Sequence, residues 1–320
     1  LLLNFLFRCK LRWLFYSKMS EINFFIVNKD NDGRRLDNYL FSQFKKGIPK
    51  SKIYSSVRKA KIKVNGKKAK PDQKVKDGDK VTYPLLVQKS NISDSPNLQE
   101  HLNLIKNSIL YDSKNFIVIN KPPNYAVHGG SGLNFGIIEI VRKLYKYSEN
   151  FNLAHRLDKS TSGCLIISKK MSSLRDIHKQ FRERSIKKIY QCIVLGEWPH
   201  DLKKVKNKLD TQKIDKKEQK TFRSDSGKES LTTFKIEKQF DKFTQLIAMP
   251  HTGRTHQIRF HCFDSGYPII GDRKYSNDMS KSLSKRLMLH AKQIEFQDNG
   301  EKIIISTDDD YGLSEFRKSI

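Results

Sequence analysis

The chain is poor in the features that would place it in several large classes of protein. Its four cysteines, Cys9, Cys164, Cys192 and Cys262, include no C-x-x-C pair and sit mostly in apolar runs. They read as buried thiols of a reducing compartment, which excludes a disulfide framework and a zinc ribbon. No apolar run reaches the roughly 20 residues needed to span a bilayer, because residues 1 to 18 are interrupted by Arg8, Lys10 and Arg12. That stretch also has no small-residue cleavage site, so it makes a poor signal peptide. The expected start is Met19, with residues 1–18 an upstream artefact or leader, or an organellar targeting segment as the rival reading. Acid is scarce as well: 34 Asp and Glu face 62 Lys and Arg, a net charge of +28, and a polyanion is the natural partner of such a surface. His251, His256 and His261 recur every five residues. That step turns about 140° around a helix and lands on opposite faces of a strand, so a metal cluster is not expected.

With 320 residues of which 37% are hydrophobic, the chain can close a core in one large and one small domain. Residues 34 to 83 hold 16 Lys and Arg against 4 Asp, in amphipathic order rather than low complexity. Leu36, Tyr39, Leu40 and Phe44 follow helical spacing. Ser51 is placed to cap a second helix with Ile53, Val57 and Ala60 inward, and Asn65-Gly66 reads as a hairpin turn. Two short helices followed by a hairpin resemble the alpha-L RNA-binding module of ribosomal proteins, with Lys50, Lys52, Arg58 and Lys59, and also Lys61 and Lys63, on a phosphate-facing side. The expected organisation is an α+β RNA-binding domain over 19–85, a linker over 86–104 rich in Ser and Asn, and a second domain over 105–320. In that second domain, Phe116 to Ile119, Cys164 to Ile167 and Lys187 to Leu195 read as strands and Ser173 to Glu183 as a helix. Strands and helices mixed without a βαβ rhythm give an α+β class. The lysine-rich residues 203–220, with little periodicity, are expected to form a loop.

One polar turn stands out: Ala154-His155-Arg156-Leu157-Asp158-Lys159-Ser160-Thr161-Ser162-Gly163 sets an acid beside an arginine just before a buried strand. Alone it is weak, since Asp in turns commonly binds nearby amides. Further along come Ile-Asn-Lys-Pro-Pro (119 to 123), Val-His-Gly-Gly-Ser-Gly (127 to 132), Lys-Lys-Ile-Tyr (187 to 190), Gly-Arg-Thr-His-Gln-Ile-Arg-Phe-His (253 to 261) and Leu-His-Ala (289 to 291). Together, in this order, these segments resemble the RluA-type pseudouridine synthases over nearly all of residues 20 to 305.

The resemblance implies the pseudouridine synthase fold, a bent mixed sheet with a central cleft. The implied activity is isomerisation of specific uridines to pseudouridine in large-subunit ribosomal RNA or its assembly precursor, by a monomer in a bacterial-type cytoplasm. Substrate and product are isomers, so no metal, redox cofactor or ATP is expected. The chemistry needs a nucleophile or electrostatic partner, a surface for the detached uracil, and exclusion of water. By resemblance the first is Asp158, kept ionised by a bidentate Arg259, and the second is Tyr190, stacking on the base. Arg259 is expected on a helix capped by Thr255. Arg156 is implied near the extruded nucleotide. Lys121, His128, Gly129 and Gly130 would flank the cleft, the glycine amides forming a nest for a phosphate. A non-catalytic RNA-binding factor and an RNA glycosidase or nuclease are the competing classes; an intact Asp158 argues against the first, and the lack of a second catalytic carboxylate against the other.

Overall fold

The computed structural model describes residues 23–44, 48, 50–84, 97–129, 136–213, 219–308 and 310–318. Residues 1–18, most of the expected linker, Gly130 and the side chain of Lys50 lie outside them. The chain forms two compact units, Leu1–Ser93 and Asp94–Ile320.

In the first unit, β1 (Asn23–Ile26), α1 (Leu36–Gln43), α2 (Lys50–Arg58), β2 (Lys63–Val64), β3 (Lys67–Lys68) and β4 (Lys80–Tyr83) follow in order. The strands lie β1-β4-β2-β3. Asn65 and Gly66 both take positive φ, 49° and 74°, which is the backbone that a tight two-residue hairpin demands and the reason Asn-Gly stands there. Leu36, Tyr39, Leu40, Phe44, Ile53 and Val57 share one core. Helix α2 starts at Lys50, one residue ahead of the Ser51 cap read from sequence. Lys52, Arg58, Lys59, Lys61 and Lys63 are exposed.

The second unit comprises α3 (Leu98–Asn107), β5 (Ile109–Asp112), β6 (Phe116–Lys121), α4 (Ile137–Leu144), β7 (Asn152–Leu153), β8 (Ser162–Ser168), α5 (Met171–Arg182), β9 (Lys187–Leu195), β10 (Lys204–Lys213), β11 (Gln219–Arg223), β12 (Lys228–Gln239), β13 (Phe243–Pro250), α6 (Gln257–Asp264), α7 (Asp278–Ser282), β14 (Leu289–Asp298), β15 (Glu301–Ser306) and α8 (Leu313–Lys318). One mixed sheet runs β11-β10-β12-β13-β9-β14-β8-β6-β5, with β15 on β14 and β7 on β8. Strands β6 and β8 are buried along their whole length, because both faces of the sheet are covered there. Ile117, Ile119, Leu165 and Ile167 pack with Ile137, Ile138, Ile140 and Val141 of α4. The alternate residues Phe116, Val118, Cys164 and Ile166 pack with Ile177 of α5. Among the described residues no helix is long and apolar enough to cross a membrane.

At the centre, β8 pairs in parallel with β14, His290 opposite Ser162 and Ala291 opposite Gly163. Gly163 has φ +109°, and a Cβ there would stand 2.3 Å from the Ala291 carbonyl oxygen. Only glycine lets the strand start so close to its neighbour, and the Asp158 turn is thereby pinned to the middle of the sheet. Residues 203–220 depart from the expected loop: Lys204–Lys213 is a ten-residue strand, paired on both sides. Its inward positions are Val205, Asn207 and Leu209. Asn207 breaks the apolar alternation in the sequence but is accommodated by a 2.7 Å hydrogen bond to Asp264.

Candidate active site

The turn from Ala154 to Thr161 is held by His155, Leu157 and Lys121, the first two of which also line the site cavity. The Ile166 amide donates to His155 Nε2 at 3.1 Å, and burial pushes the His155 pKa down to about 3, so the ring is a neutral acceptor. Leu157 is buried in the core over α4. Lys121 is fully buried, and its ammonium donates to the carbonyls of Pro122 (2.7 Å), Tyr125 (3.0 Å) and Lys159 (3.1 Å). Burial pulls its pKa down to about 7, against the opposing pull of Asp158. An ammonium with all three protons committed and no exposed surface is not available to RNA, so the expected RNA contact of Lys121 is corrected: it ties the residue after Asp158 to the Pro122–Tyr125 segment.

Asp158 keeps 29% of its side chain exposed. Its Oδ2 lies 3.3 Å from Arg259 Nη1 and 3.8 Å from His256 Nε2. The pairing with Arg259 is therefore present, but its geometry differs from the expected one. The guanidinium grips Asp272 with two hydrogen bonds, Nε to Oδ2 and Nη2 to Oδ1, both 2.7 Å, and turns only its remaining nitrogen toward Asp158. Burial by itself would lower the Arg259 pKa; the Asp272 hydrogen bonds and charge, helped by Asp158, leave it raised. The reason for two acids is geometric, since a fork satisfied by one carboxylate is rigid and can present a fixed third donor to another.

Sequence reasoning missed Asp272. Its signal is a charged residue one glycine beyond the apolar run Ile269-Ile270, where an unpaired carboxylate would be too costly to keep. Gly271 before it has φ +73°, and a Cβ would lie 1.8 Å from the Arg286 carbonyl oxygen. The carboxylate also accepts from the Lys274 and Tyr275 amides. Helix α6 carries Arg259 as expected, but its cap is His256 in a left-handed conformation, φ 52°, not Thr255.

Tyr190 on β9 lines the same cavity, about 420 Å³, with Arg156, Asp158, Lys188, Arg254, His256 and Arg259. Burial and then Asp158 raise its hydroxyl pKa, so it stays a neutral phenol. Its side chain is partly buried against two cores and also lines the cavity. Arg156 is exposed and lines this cavity and a second one. His128 is exposed on that second cavity, with Lys159, Arg273, Lys274 and Lys285. Lys188, whose pKa burial lowers, faces the first cavity and a third, basic groove with Arg182, Arg184, Lys187 and Arg254. Neither Lys188 nor this groove was singled out from sequence. The Gly129 amide is not free for a phosphate: it donates to Glu139 Oε2 at 2.9 Å, as does the Gly136 amide at 3.0 Å. A carboxylate of the chain itself thus takes the place of the expected anion. His251, His256 and His261 go to separate partners, Thr233, Tyr275 and the Ser230–Thr232 pair.

Residues 115–263 match the RNA pseudouridylate synthase family and residues 34–81 the S4 domain. Ribosomal large subunit pseudouridine synthase C of Buchnera aphidicola (Acyrthosiphon pisum, strain APS) is 39% identical over 311 residues, 95% of this chain and 99% of that protein. The protein of the same name from Escherichia coli K12 is 39% identical over 298 residues, 90% of this chain and 93% of its own. Among solved structures, human RNA Pseudouridylate Synthase Domain Containing 4 superposes with a TM-score of 0.58 at 22% identity, covering 69% of this chain and 96% of that one. Domain Containing 1 gives 0.55 at 25% identity, covering 65% and 86%.

Proposed function

The chain belongs to the RNA pseudouridylate synthase family, and on that premise we propose that it converts specific uridines of large-subunit ribosomal RNA to pseudouridine, with Asp158, Tyr190 and Arg259 as the catalytic group. The relatives that share nine-tenths or more of its length carry that substrate in their names. A monomer acting in a bacterial-type cytoplasm, where the subunit is assembled, fits the same reading.

The observation that carries it is the placement of Asp158, partly exposed on a cavity and beside a guanidinium that Asp272 holds in place. In the reaction the C1′–N1 bond breaks, the uracil turns, and C5 bonds to C1′ while its proton leaves. Asp158 supplies the charge or the nucleophile for the first stage. Tyr190 provides a flat, neutral surface on which the detached ring can turn without dissociating. Arg156 enters the space left in the RNA stack when the target nucleotide is extruded, a step required before any chemistry on a stacked base. The basic groove past Lys188 takes the flanking phosphates, and the exposed Lys52, Arg58, Lys59, Lys61 and Lys63 of the S4 unit add sequence-independent affinity.

Uridine labelled with tritium at C5 releases its label only if C5 exchanges its hydrogen for the ribose. Incubating such a large-subunit RNA transcript with the full-length protein should release tritium, and Asp158→Asn should abolish release while RNA affinity stays within about threefold. Full turnover in that variant sinks the mechanism, and free uracil in place of pseudouridine moves the protein to the glycosidases.

A further inference from the structure

A second group bears on Asp158, through a buried tyrosine outside the family motifs. Tyr275 is 1% exposed, and its ring lies under the Arg259 guanidinium, 5.3 Å from the centroid. The Thr221 amide, on β11, donates to Tyr275 Oη at 2.7 Å. With a donor already bound to the oxygen, the phenolic proton needs an acceptor. The neighbour in reach is His256 Nδ1, at 2.8 Å. A neutral imidazole that accepts at Nδ1 carries its proton on Nε2, and burial keeps this ring neutral by lowering its pKa despite Asp158 nearby. Nε2 is the atom that faces Asp158 Oδ2, at 3.8 Å.

We propose that His256 is a positioning residue for the isomerisation: Tyr275 fixes its tautomer, its Nε2–H is the second donor to Asp158 Oδ2 beside Arg259, and Oδ1 is left as the oxygen that meets the substrate. At 3.8 Å the contact is longer than a hydrogen bond, and it shortens when the substrate closes the cavity, as catalytic contacts of empty sites commonly do. The relay begins in the lysine-rich hairpin, since Thr221 also donates its hydroxyl to the Thr255 carbonyl at 2.8 Å, fixing the backbone directly before His256. The left-handed backbone of His256, φ 52°, is the strain this placement carries.

The proposal rests on the reading of this cavity as a uridine isomerase, and two measurements on the full-length protein separate the two ideas. In the protein labelled with ¹⁵N at histidine, the His256 ring signals are those lost in His256→Asn, a residue that tolerates the left-handed region. We expect a bare Nδ1 and a protonated Nε2 in the wild type, shifting to a mixture of tautomers in Tyr275→Phe. A protonated Nδ1 in the wild type overturns the relay, whether or not the RNA reacts. On the tritiated large-subunit transcript, His256→Asn should lower kcat about tenfold with KM within about twofold. His256→Gln, whose amide nitrogen reaches the place of Nε2, should stay within about threefold of the wild type. Because Tyr275 acts through His256, adding Tyr275→Phe to His256→Asn should cost nothing further. Additive losses, or equal defects in the Asn and Gln variants, overturn it. A wild type that releases no tritium refutes the isomerase reading alone, and the nitrogen spectra still decide where the proton sits.

Discussion

Arg259 joins two carboxylates that the fold uses for opposite ends, and removing each in turn should separate stability from turnover. Asp272 is fully buried and accepts four hydrogen bonds, two from the guanidinium and two from the Lys274 and Tyr275 amides. Asp272→Ala strands a buried cation and two amides, which costs about 3–5 kcal/mol. For a unit of this size that corresponds to a fall in Tm of roughly 6–20 °C. Asp158 is 29% exposed and meets one nitrogen at 3.3 Å, so Asp158→Ala should cost under about 1 kcal/mol. Thermal unfolding followed by circular dichroism, with tritium release measured on the same preparations well below either Tm, gives both quantities. The expected pattern is a stable, inactive Asp158 variant and an unstable Asp272 variant whose residual activity follows its folded fraction and the loosened Arg259. Arg259→Met should lose both properties, because it leaves Asp272 buried without its cation. Equal Tm losses for the two aspartate variants would refute the division of labour and mean that the Arg259–Asp272 fork contributes no more than a surface pair.

Tyr190→Phe keeps the ring and should retain folding and RNA affinity, whereas Tyr190→Ala removes packing from two cores as well as the face for the base; equal activity of Tyr190→Ala and wild type would return this residue to a purely structural role. His155, His261 and His290 are neutral in the folded state, with pKa values pushed down by burial to about 3, 4 and 3. Since the unfolded chain takes up their protons near pH 6.5 and the folded one does not, stability should be full above that pH and fall as pH drops toward 4, each of the fully buried pair His261 and His290 contributing up to about 1.4 kcal/mol per pH unit; urea denaturation that is flat from pH 6.5 to 4.5 would contradict it. Neutralising Arg58 and Lys59 with glutamine should weaken RNA binding and flatten the plot of log affinity against log salt by somewhat under one unit per lost phosphate contact; an unchanged slope would take these residues off the RNA.

The local order of the chain was legible wherever one residue or one period fixes the outcome. Asn65-Gly66 could only be a tight turn, the apolar runs at Phe116 and Cys164 could only be interior strands, and the alternating motifs around Asp158, Tyr190 and Arg259 were recognisable because their order along the chain survives without coordinates. The excess of Lys and Arg pointed to a polyanion for the same reason, since net charge is a sum and needs no geometry. What the tertiary structure alone decided is how shared groups are divided. Whether an ammonium such as Lys121 faces solvent or three carbonyls, whether the Gly129 amide meets a phosphate or Glu139, and whether Arg259 grips Asp158 or Asp272 depend on which distant segments come within 3 Å. Sequence spacing does not encode those distances. The strand over Lys204–Lys213 was hidden on the same ground: Asn207 interrupts the apolar alternation of Val205 and Leu209, and its partner Asp264 lies 57 residues away, where no local spacing points to it.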